Sequence, residues 1–319
     1  MKSAAVIGVD VSKLRLDIAI EGRPGARQID NTRAGIRAWL AELPERCLIG
    51  VESTGEYQQL LVSCAIKAGH TVYVLSARDL FRYSQSLGRR AKTDRLDAQL
   101  IARYLAREHQ YLHPYHLPSK IQQQVDQLIR RRHTIVVMQG TLRQSFATLS
   151  RKLRSSRRAA VALQGLIDEI DRELKGLVQK DPALSSASVH LLSVVGFGPL
   201  VSTALAHALT RHDFRGSDAF VAYIGYDPRV RDSGQYRGRR FLSKRGPAEM
   251  RRLLFNAAMS ASRTTLWRPV YARYRARGLS TTATLVILAR KLARIAFSIV
   301  KHNVVFDPER FQRSACVQP

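Results

Sequence analysis

Four short apolar runs constrain the first part of this chain more than any other feature: AVIGVDV at residues 5–11, LDIAI at 16–20, CLIGVES at 47–53 and TVYVLS at 71–76. Each is too short for a helix, rich in β-branched residues and bounded by polar turns, the pattern of buried strands. Only SKLR separates the first two, which predicts a hairpin. A third strand is expected at 26–31, and helices at 33–43 and, after the Thr54-Gly55 turn, at 56–68. A hairpin followed by alternating strands and helices indicates a mixed α/β sheet.

Two of these runs carry an acid. Asp10 interrupts the first, and Glu52 ends the third. A third acidic feature lies in AKTDRLDAQLIARYLAR at 91–107. On a helical wheel Asp94, Asp97, Ile101, Tyr104 and Leu105 fall side by side, with Arg95, Gln99 and Arg103 opposite. Acids in a first helical turn commonly complement the macrodipole at the surface. Here they share the face a helix normally buries, where unpaired charge is costly and a bound cation would relieve the cost. The ordered set Asp10, Glu52, Asp94 and Asp97 offers only oxygen ligands from separate elements. That suits Mg²⁺ or Mn²⁺, ions that bind phosphate oxygens and can clamp both oxygens of a phosphodiester displacement.

The charge balance agrees with a phosphate partner. Lys and Arg number 52 against 25 Asp and Glu, a formal net charge of +27, which points to a polyanion. No apolar run reaches transmembrane length, so a nucleic acid is expected instead of a membrane. Cys47, Cys64 and Cys316 lack metal spacing and read as free thiols of a reducing compartment. His109, His113 and His116 surround Pro114 with no cysteine nearby and read as a linker, not a zinc site.

The motifs GVDVSK, GVESTGEY and KTDRLDAQLIARYL resemble those of the DEDD-type insertion-sequence transposases related to the Piv invertases, over roughly the first third of the chain. The resemblance implies a RuvC-like RNase H fold with Asp10, Glu52, Asp94 and Asp97 as metal-binding acids. The first motif also resembles the phosphate loop of sugar and acetate kinases, but Asp10-Val11-Ser12-Lys13 lacks the glycine such a loop needs.

From Pro118 to Pro182 the sequence holds no proline, and apolar residues recur at spacings of four and three. The stripe runs from Ile121 to Leu153, resumes from Leu163 to Leu177, and is interrupted at Arg132 and Gln139. Long helices are expected, either packed on each other within the chain or forming a dimerising coiled coil, the latter favoured by the narrow stripe. Farther on, Gly196 and Gly198 flank Phe197 between two apolar helical stretches. That can be a tight turn between core helices or a helix-hairpin-helix element offering backbone N–H groups to phosphate.

The densest basic stretch, residues 223–258, carries Arg229, Arg231, Arg237, Arg239, Arg240, Lys244 and Arg245 among Tyr226, Tyr236 and Phe241. Guanidinium groups pair with phosphates and aromatics stack on bases. Ser233 precedes Gly234 within it and by itself reads as a turn residue. The family resemblance gives this region the character of a C-terminal transposase domain and maps its serine nucleophile onto Ser233 in RDSGQ, with Ser243 in LSKRG as the alternative. No histidine adjoins Ser233, so its activation would come from the metal cluster or from arginine-stabilised charge, which requires the two domains to meet.

The expected organisation is α/β plus α: a RuvC-like catalytic domain at 1–112, a coiled-coil segment at 113–185, a mainly helical transposase domain at 186–306 and a tail at 307–319. The expected function is Mg²⁺- or Mn²⁺-dependent DNA strand cleavage and exchange through a covalent phosphoserine. The family resemblance further implies target and donor DNA, a structured noncoding bridge RNA, a dimer or tetramer, and a nucleoid-associated place in a prokaryotic cytoplasm. Two other readings stand beside it. One is a Holliday-junction-type endonuclease using the same acids on water, and the other a noncatalytic nucleic-acid scaffold whose acids are salt-bridge partners.

Overall fold

The computed structural model describes residues 5–53, 55, 57–88, 94–149, 153–229, 232–233, 236–238 and 240–309, with backbone alone for 94–96, 232–233 and 236–237. The chain folds as two compact units, Met1–Leu117 and Pro118–Pro319.

The first unit holds strands β1 (Val6–Val11), β2 (Arg15–Ile20), β3 (Arg27–Asp30), β4 (Leu48–Glu52) and β5 (Thr71–Leu75), with helices α1 (Arg33–Ala41), α2 (Gln59–Lys67), α3 (Ala77–Ser86) and α4 (Asp94–Glu108). The strands form one mixed sheet in the order β3-β2-β1-β4-β5. β1 pairs antiparallel with β2 and parallel with β4. The hairpin and the strand–helix alternation expected from the sequence are present, and helix α3 is an addition to them.

Strand parity divides the sheet. Ile7, Val9 and Val11 of β1, Leu16 and Ile18 of β2, and Ile49 and Val51 of β4 turn to one face. There they pack with Ile36, Trp39 and Leu40 of α1 and Leu61, Val62 and Ala65 of α2. The alternate residues turn to the other face, where Tyr73 and Leu75 of β5 cluster with Ile101 and Leu105 of α4. The acids of β1 and β4 have the second parity, so they lie on the α4 side.

Among its described residues the second unit is mainly helical, with a short β-ribbon. Its helices are α5 (Lys120–Ser145), α6 (Arg154–Gln179), α7 (Pro182–Leu192), α8 (Pro199–Arg211), α9 (Ser217–Ile224), α10 (Ala248–Ala261), α11 (Arg268–Ala276) and α12 (Thr281–His302). Between α9 and α10 lie the two-residue strands β6 (Pro228–Arg229), β7 (Asp232–Ser233), β8 (Tyr236–Arg237) and β9 (Phe241–Leu242). Helix α12 runs through the core, burying Leu288, Leu292, Ala293 and Ala296 completely, and packs on α7, α8, α9, α10 and α11. Ser280 caps its start, accepting a hydrogen bond from the Ala283 N–H, and Asn303 ends it in a left-handed conformation.

The long helices expected between the two prolines are α5 and α6. A capping box starts α5: Ser119 Oγ accepts from the Gln122 N–H, and Gln122 Oε1 accepts from the Ser119 N–H. The helices pair antiparallel within one chain. Arg132 grips Asp171 through Nε at 2.6 Å and Nη2 at 2.9 Å, and Gln139 Nε2 donates to Gln164 Oε1 at 3.2 Å. Those two bonds are one heptad apart on both helices. The polar residues that interrupt the apolar stripe are therefore the residues that fix the hairpin's register. Its apolar burial is confined to one end, at Val125, Ile167, Leu174, Leu177 and Val178. Val137, Met138, Val161 and Leu166 are exposed.

Candidate active site

A row of small residues makes the acid-bearing face possible. Ala19 opposes Gly8 across the β1–β2 ladder, and Gly8 opposes Gly50 across the β1–β4 ladder. A Cβ on Gly8 would stand 2.2 Å from the Ala98 carbonyl oxygen and 2.3 Å from the Ala102 nitrogen, so the α4 backbone lies directly on β1 at this glycine. A Cβ on Gly50 would meet Ile101 Cγ2 at 3.0 Å and a Leu105 methyl at 3.3 Å. Helix α4 thus crosses the sheet over β1, β2 and β4 with Ala98, Ile101, Ala102 and Leu105 at its buried centre.

This orientation refines the wheel drawn from the sequence. The alanines occupy the middle of the buried stripe, because only they permit contact with Gly8. Asp97 is half-buried at its flank. Tyr104 is also half-buried, sits edge-on to Tyr83 with ring centroids 5.2 Å apart, and has its phenol pKa raised chiefly by burial. The backbone of Asp94 opens α4, and its side chain lies outside the described residues.

Two residues beyond the glycines, in the same parity, come Asp10 and Glu52, both half-buried. The β1–β4 register, which pairs Gly8 with Gly50 and Val9 with Val51, sets Asp10 beside Glu52 when carried one step further. Sheet and helix therefore bring three of the four expected acids, Asp10, Glu52 and Asp97, to one face of one unit.

A further acid stands in this row that the sequence reading passed over. Asp17 is the cross-strand partner of Asp10, on the same face, and is only 5% exposed. Gln28 of β3 donates through Nε2 to both of its carboxylate oxygens at 3.2 Å, and Arg15 donates to Gln28 Oε1 at 3.1 Å. The signal was available: a hairpin closed by SKLR puts the aspartate of LDIAI opposite that of GVDV.

The donor chemistry of this face fits a hard divalent cation, since its acids supply carboxylate oxygens. Among the described residues no three such side chains close on a common point. The case for the ion is therefore one of donor type and sheet position.

In the second unit Ser233, Arg229 and Arg237 lie on the short strands. Pro228 pairs with Leu242 and Arg229 with Phe241 at the base of the β-ribbon, and Asp232 pairs with Arg237 and Ser233 with Tyr236 beyond. Ser233 is the last residue of its rung, three positions from its partner.

The ribbon's base is tightly built. A Cβ on Gly246 would stand 1.8 Å from the Tyr223 carbonyl oxygen, and one on Gly225, at φ 80°, would stand 2.8 Å from the backbone nitrogens of Arg245 and Gly246. Arg251 Nη1 donates to the carbonyls of Ile224 at 2.9 Å and Gly246 at 2.6 Å. Buried Tyr226, whose phenol is held neutral by desolvation, donates to the Arg251 carbonyl at 2.7 Å. Ser243 is 6% exposed and donates its hydroxyl to Asp227. That bond ties Ser243 to the base.

Arg240, Lys244 and Arg245 are exposed and Arg229 half-buried. Only the backbone of Arg237 is described, and Arg231 and Arg239 lie outside the described residues. The Gly196-Phe197-Gly198 turn joins α7 to α8. Gly196, at φ 104°, is pressed against α10, where a Cβ would come within 2.6 Å of Ala261 Cβ, whereas Gly198 has open space around it. Gly196 thus has a packing reason, and Gly198 starts α8 ahead of Pro199.

Two family models match the chain. A transposase model of the DEDD IS110 type covers residues 7–152, and the model described as transposase IS116/IS110/IS902 family covers residues 188–275. The four expected acids fall in the first segment, and Ser233 with its arginines in the second. Among individual proteins, the pilin gene-inverting proteins of Moraxella bovis and Moraxella lacunata are each 25% identical over 264 residues, covering 81% of this chain and 81% of the relative. A protein of Pseudomonas aeruginosa described as a probable family 20 transposase is 26% identical over 167 residues, 51% of this chain and 48% of its own length.

Proposed function

Because the chain belongs to the IS110-type transposase and recombinase family, we propose that it is the DNA-cleaving and DNA-joining enzyme of a mobile insertion sequence, working through a carboxylate-held Mg²⁺ or Mn²⁺ and a serine nucleophile. The observation that carries this reading is the common sheet face of Asp10 and Glu52 beneath the acid-bearing helix α4, inside the segment matched by the DEDD transposase model.

Asp10, Glu52, Asp94 and Asp97 would hold the ion. When bound, it neutralises phosphate charge and polarises the phosphorus–oxygen bonds. Ser233 Oγ forms a bond to phosphorus, the bond from phosphorus to the departing sugar oxygen breaks, and the serine proton ends on that oxygen. The DNA end is thereby kept as a phosphoserine ester of comparable energy, which a new sugar hydroxyl can reverse to join strands. Arg229, Arg231, Arg237, Arg239, Arg240, Lys244 and Arg245 stabilise charge on the phosphate and bind the flanking backbone.

On this reading residues 1–112 form a RuvC-like metal-bearing domain, 113–185 an assembly segment and 186–306 the nucleophile domain. Support for self-association, as a dimer or tetramer, comes from the apolar residues left exposed on α5 and α6. The guiding bridge RNA comes from the family resemblance, and the charge of +27 is compatible with engaging DNA and RNA together. Exchange of two duplexes serves insertion or inversion alike, and the pilin gene-inverting relatives favour keeping inversion in view.

The reading is tested by incubating labelled element-junction DNA and element RNA with wild type, Asp10→Asn and Glu52→Gln in Mg²⁺ and in EDTA. Cleavage by wild type in Mg²⁺ alone is expected, with both variants at least about 100-fold slower, the scale of removing an electrostatic stabiliser. Equal cleavage by all three proteins, or cleavage in EDTA, would overturn the metal-acid assignment.

A further inference from the structure

We infer that helix α11 docks in the major groove of duplex DNA, with Arg268 and Arg275 on one phosphate wall and Arg273 and Arg277 on the other. The inference rests on the proposed reading in taking DNA as the partner, and it assigns a binding surface outside the ribbon arginines.

Sequence and packing set the orientation of this helix. Pro269 lies in its first turn, and Gly278, at φ 82°, stands past its end. Trp267 and Val270 are buried in the core, with Tyr271 and Tyr274 partly buried against it. At about 100° per residue, the opposite side of the helix carries Pro269, Ala272 and Ala276, all exposed. Arg268 and Arg275 fall together on one flank of that side, Arg273 and Arg277 on the other, and all four are exposed. The Arg273 and Arg277 guanidiniums lie 5.7 and 6.0 Å from the centre of the same Tyr274 ring, and Arg275 donates to the Leu279 carbonyl.

An ordinary solvated helix face does not account for this charge, because such a face gains from opposite signs at four-residue spacing. Here Arg273 and Arg277 are like charges at that spacing, gathered over one ring, and Arg268 sets a cation at the positive end of the helix. No acid stands between Glu249 and Asp307 in the sequence, so neither α11 nor α12, on which it packs, supplies a counter-charge. Each of these choices is unfavourable for the isolated fold and becomes favourable when an array of phosphates is the counter-charge.

Shape selects duplex DNA among polyanions. The B-form major groove is about 12 Å wide and admits a helix, whereas the A-form RNA major groove is deep and narrow. Short side chains along the outward side let the helix approach the groove floor, where its two arginine flanks meet the two backbones. Alanine and proline side chains bring no hydrogen-bonding group to the bases, so docking is expected to be independent of sequence.

The test uses the full chain, freed of nucleic acid, with short labelled DNA and RNA duplexes of one sequence, and reads binding by fluorescence anisotropy across a salt series. Arg268→Gln with Arg275→Gln, and separately Arg273→Gln with Arg277→Gln, are each expected to weaken DNA binding about 10-fold or more and to lower the salt slope by about 2. Ala272→Trp keeps every charge but fills the outward side. It is expected to weaken DNA binding about 10-fold while leaving RNA binding within about twofold of wild type. Melting midpoints of the arginine pairs are expected at or above that of wild type, since like charges are removed.

If wild type binds the DNA duplex and either arginine pair stays within about twofold of it, the inference is overturned and the proposed function stands. DNA binding by Ala272→Trp equal to wild type would overturn groove docking, and losses on RNA that match or exceed those on DNA would make α11 an RNA surface instead. A midpoint lowered by more than about 5 °C in the arginine pairs would make those residues structural and equally overturn the inference. Failure of wild type to bind the DNA duplex would sink the DNA reading itself, and the inference with it.

Discussion

On the proposed reading, the acid row and the serine ribbon carry chemistry on opposite kinds of support. Asp10, Glu52 and Asp17 sit on central strands of a five-stranded sheet, with α4 pressed on them through Gly8 and Gly50. Ser233 sits on a two-residue rung beyond a tightly packed base that involves Gly225, Gly246, Arg251 and Tyr226. A charge cluster that must stay fixed while charge develops needs the first kind of support, since preorganisation is what makes it effective. A nucleophile that must become esterified and later be released tolerates the second.

The sharpest way to break this comparison is to remove the close approach on the sheet side. Gly8→Val places a branched side chain where even a Cβ meets the α4 backbone at 2.2 Å. Expulsion of α4 is expected, with a loss of at least about 3 kcal/mol in the first unit, measured by denaturant unfolding with hydrogen exchange on α4. The ribbon counterpart is Gly246→Ala, whose Cβ would strike the Tyr223 carbonyl. A smaller loss of about 1–3 kcal/mol is expected in the second unit, together with loss of Ser233-dependent DNA reaction and unchanged Mn²⁺ binding. If Gly246→Ala also weakened Mn²⁺ binding, the supports would not be independent.

A third, smaller effect concerns the hairpin that joins the second unit's long helices. Arg132→Ala and Asp171→Ala, taken singly and together, are expected to give a coupling of about 1 kcal/mol, modest because Asp171 is partly exposed. The smallest effect is on pH. Burial holds the pKa of His207 in the second unit, and of His70 in the first, below the ordinary value of 6.5. The unfolded chain therefore takes up protons that the folded chain refuses. Stability is full above about pH 6.5 and declines as pH falls from there toward the folded pKa values. In a melting series, His207→Leu is expected to flatten that decline in the second unit and leave the first unchanged.

The same contrast explains what was legible in the sequence. The acid row could be read because two local periods, two in the strands and 3.6 in α4, fix which side chains share a face. Asp17 was missed although the same parity rule reaches it, since its strand reads as an ordinary apolar run until the hairpin register is drawn. Helix α3 escaped because ARDLFRYSQS, though amphipathic, is mostly polar and buries only Leu80. The ribbon was illegible for a different reason. Its rungs are shorter than any strand pattern, and contacts from α9 and α10 hold its base. The interruptions at Arg132 and Gln139 were visible as breaks, but their partners Asp171 and Gln164 lie far along the chain, so their meaning emerges only once the helices fold back on each other.

The most direct measurement is a denaturing gel of the protein after reaction with Mg²⁺, labelled element-junction DNA and RNA copurified from cells carrying the intact element, comparing wild type with Ser233→Ala and Asp97→Ala. The account predicts a protein-linked DNA band in wild type that is lost in both variants. Cleavage by wild type without any covalent band, and equally by Ser233→Ala, would contradict it and make the chain a nuclease that uses its acids on water.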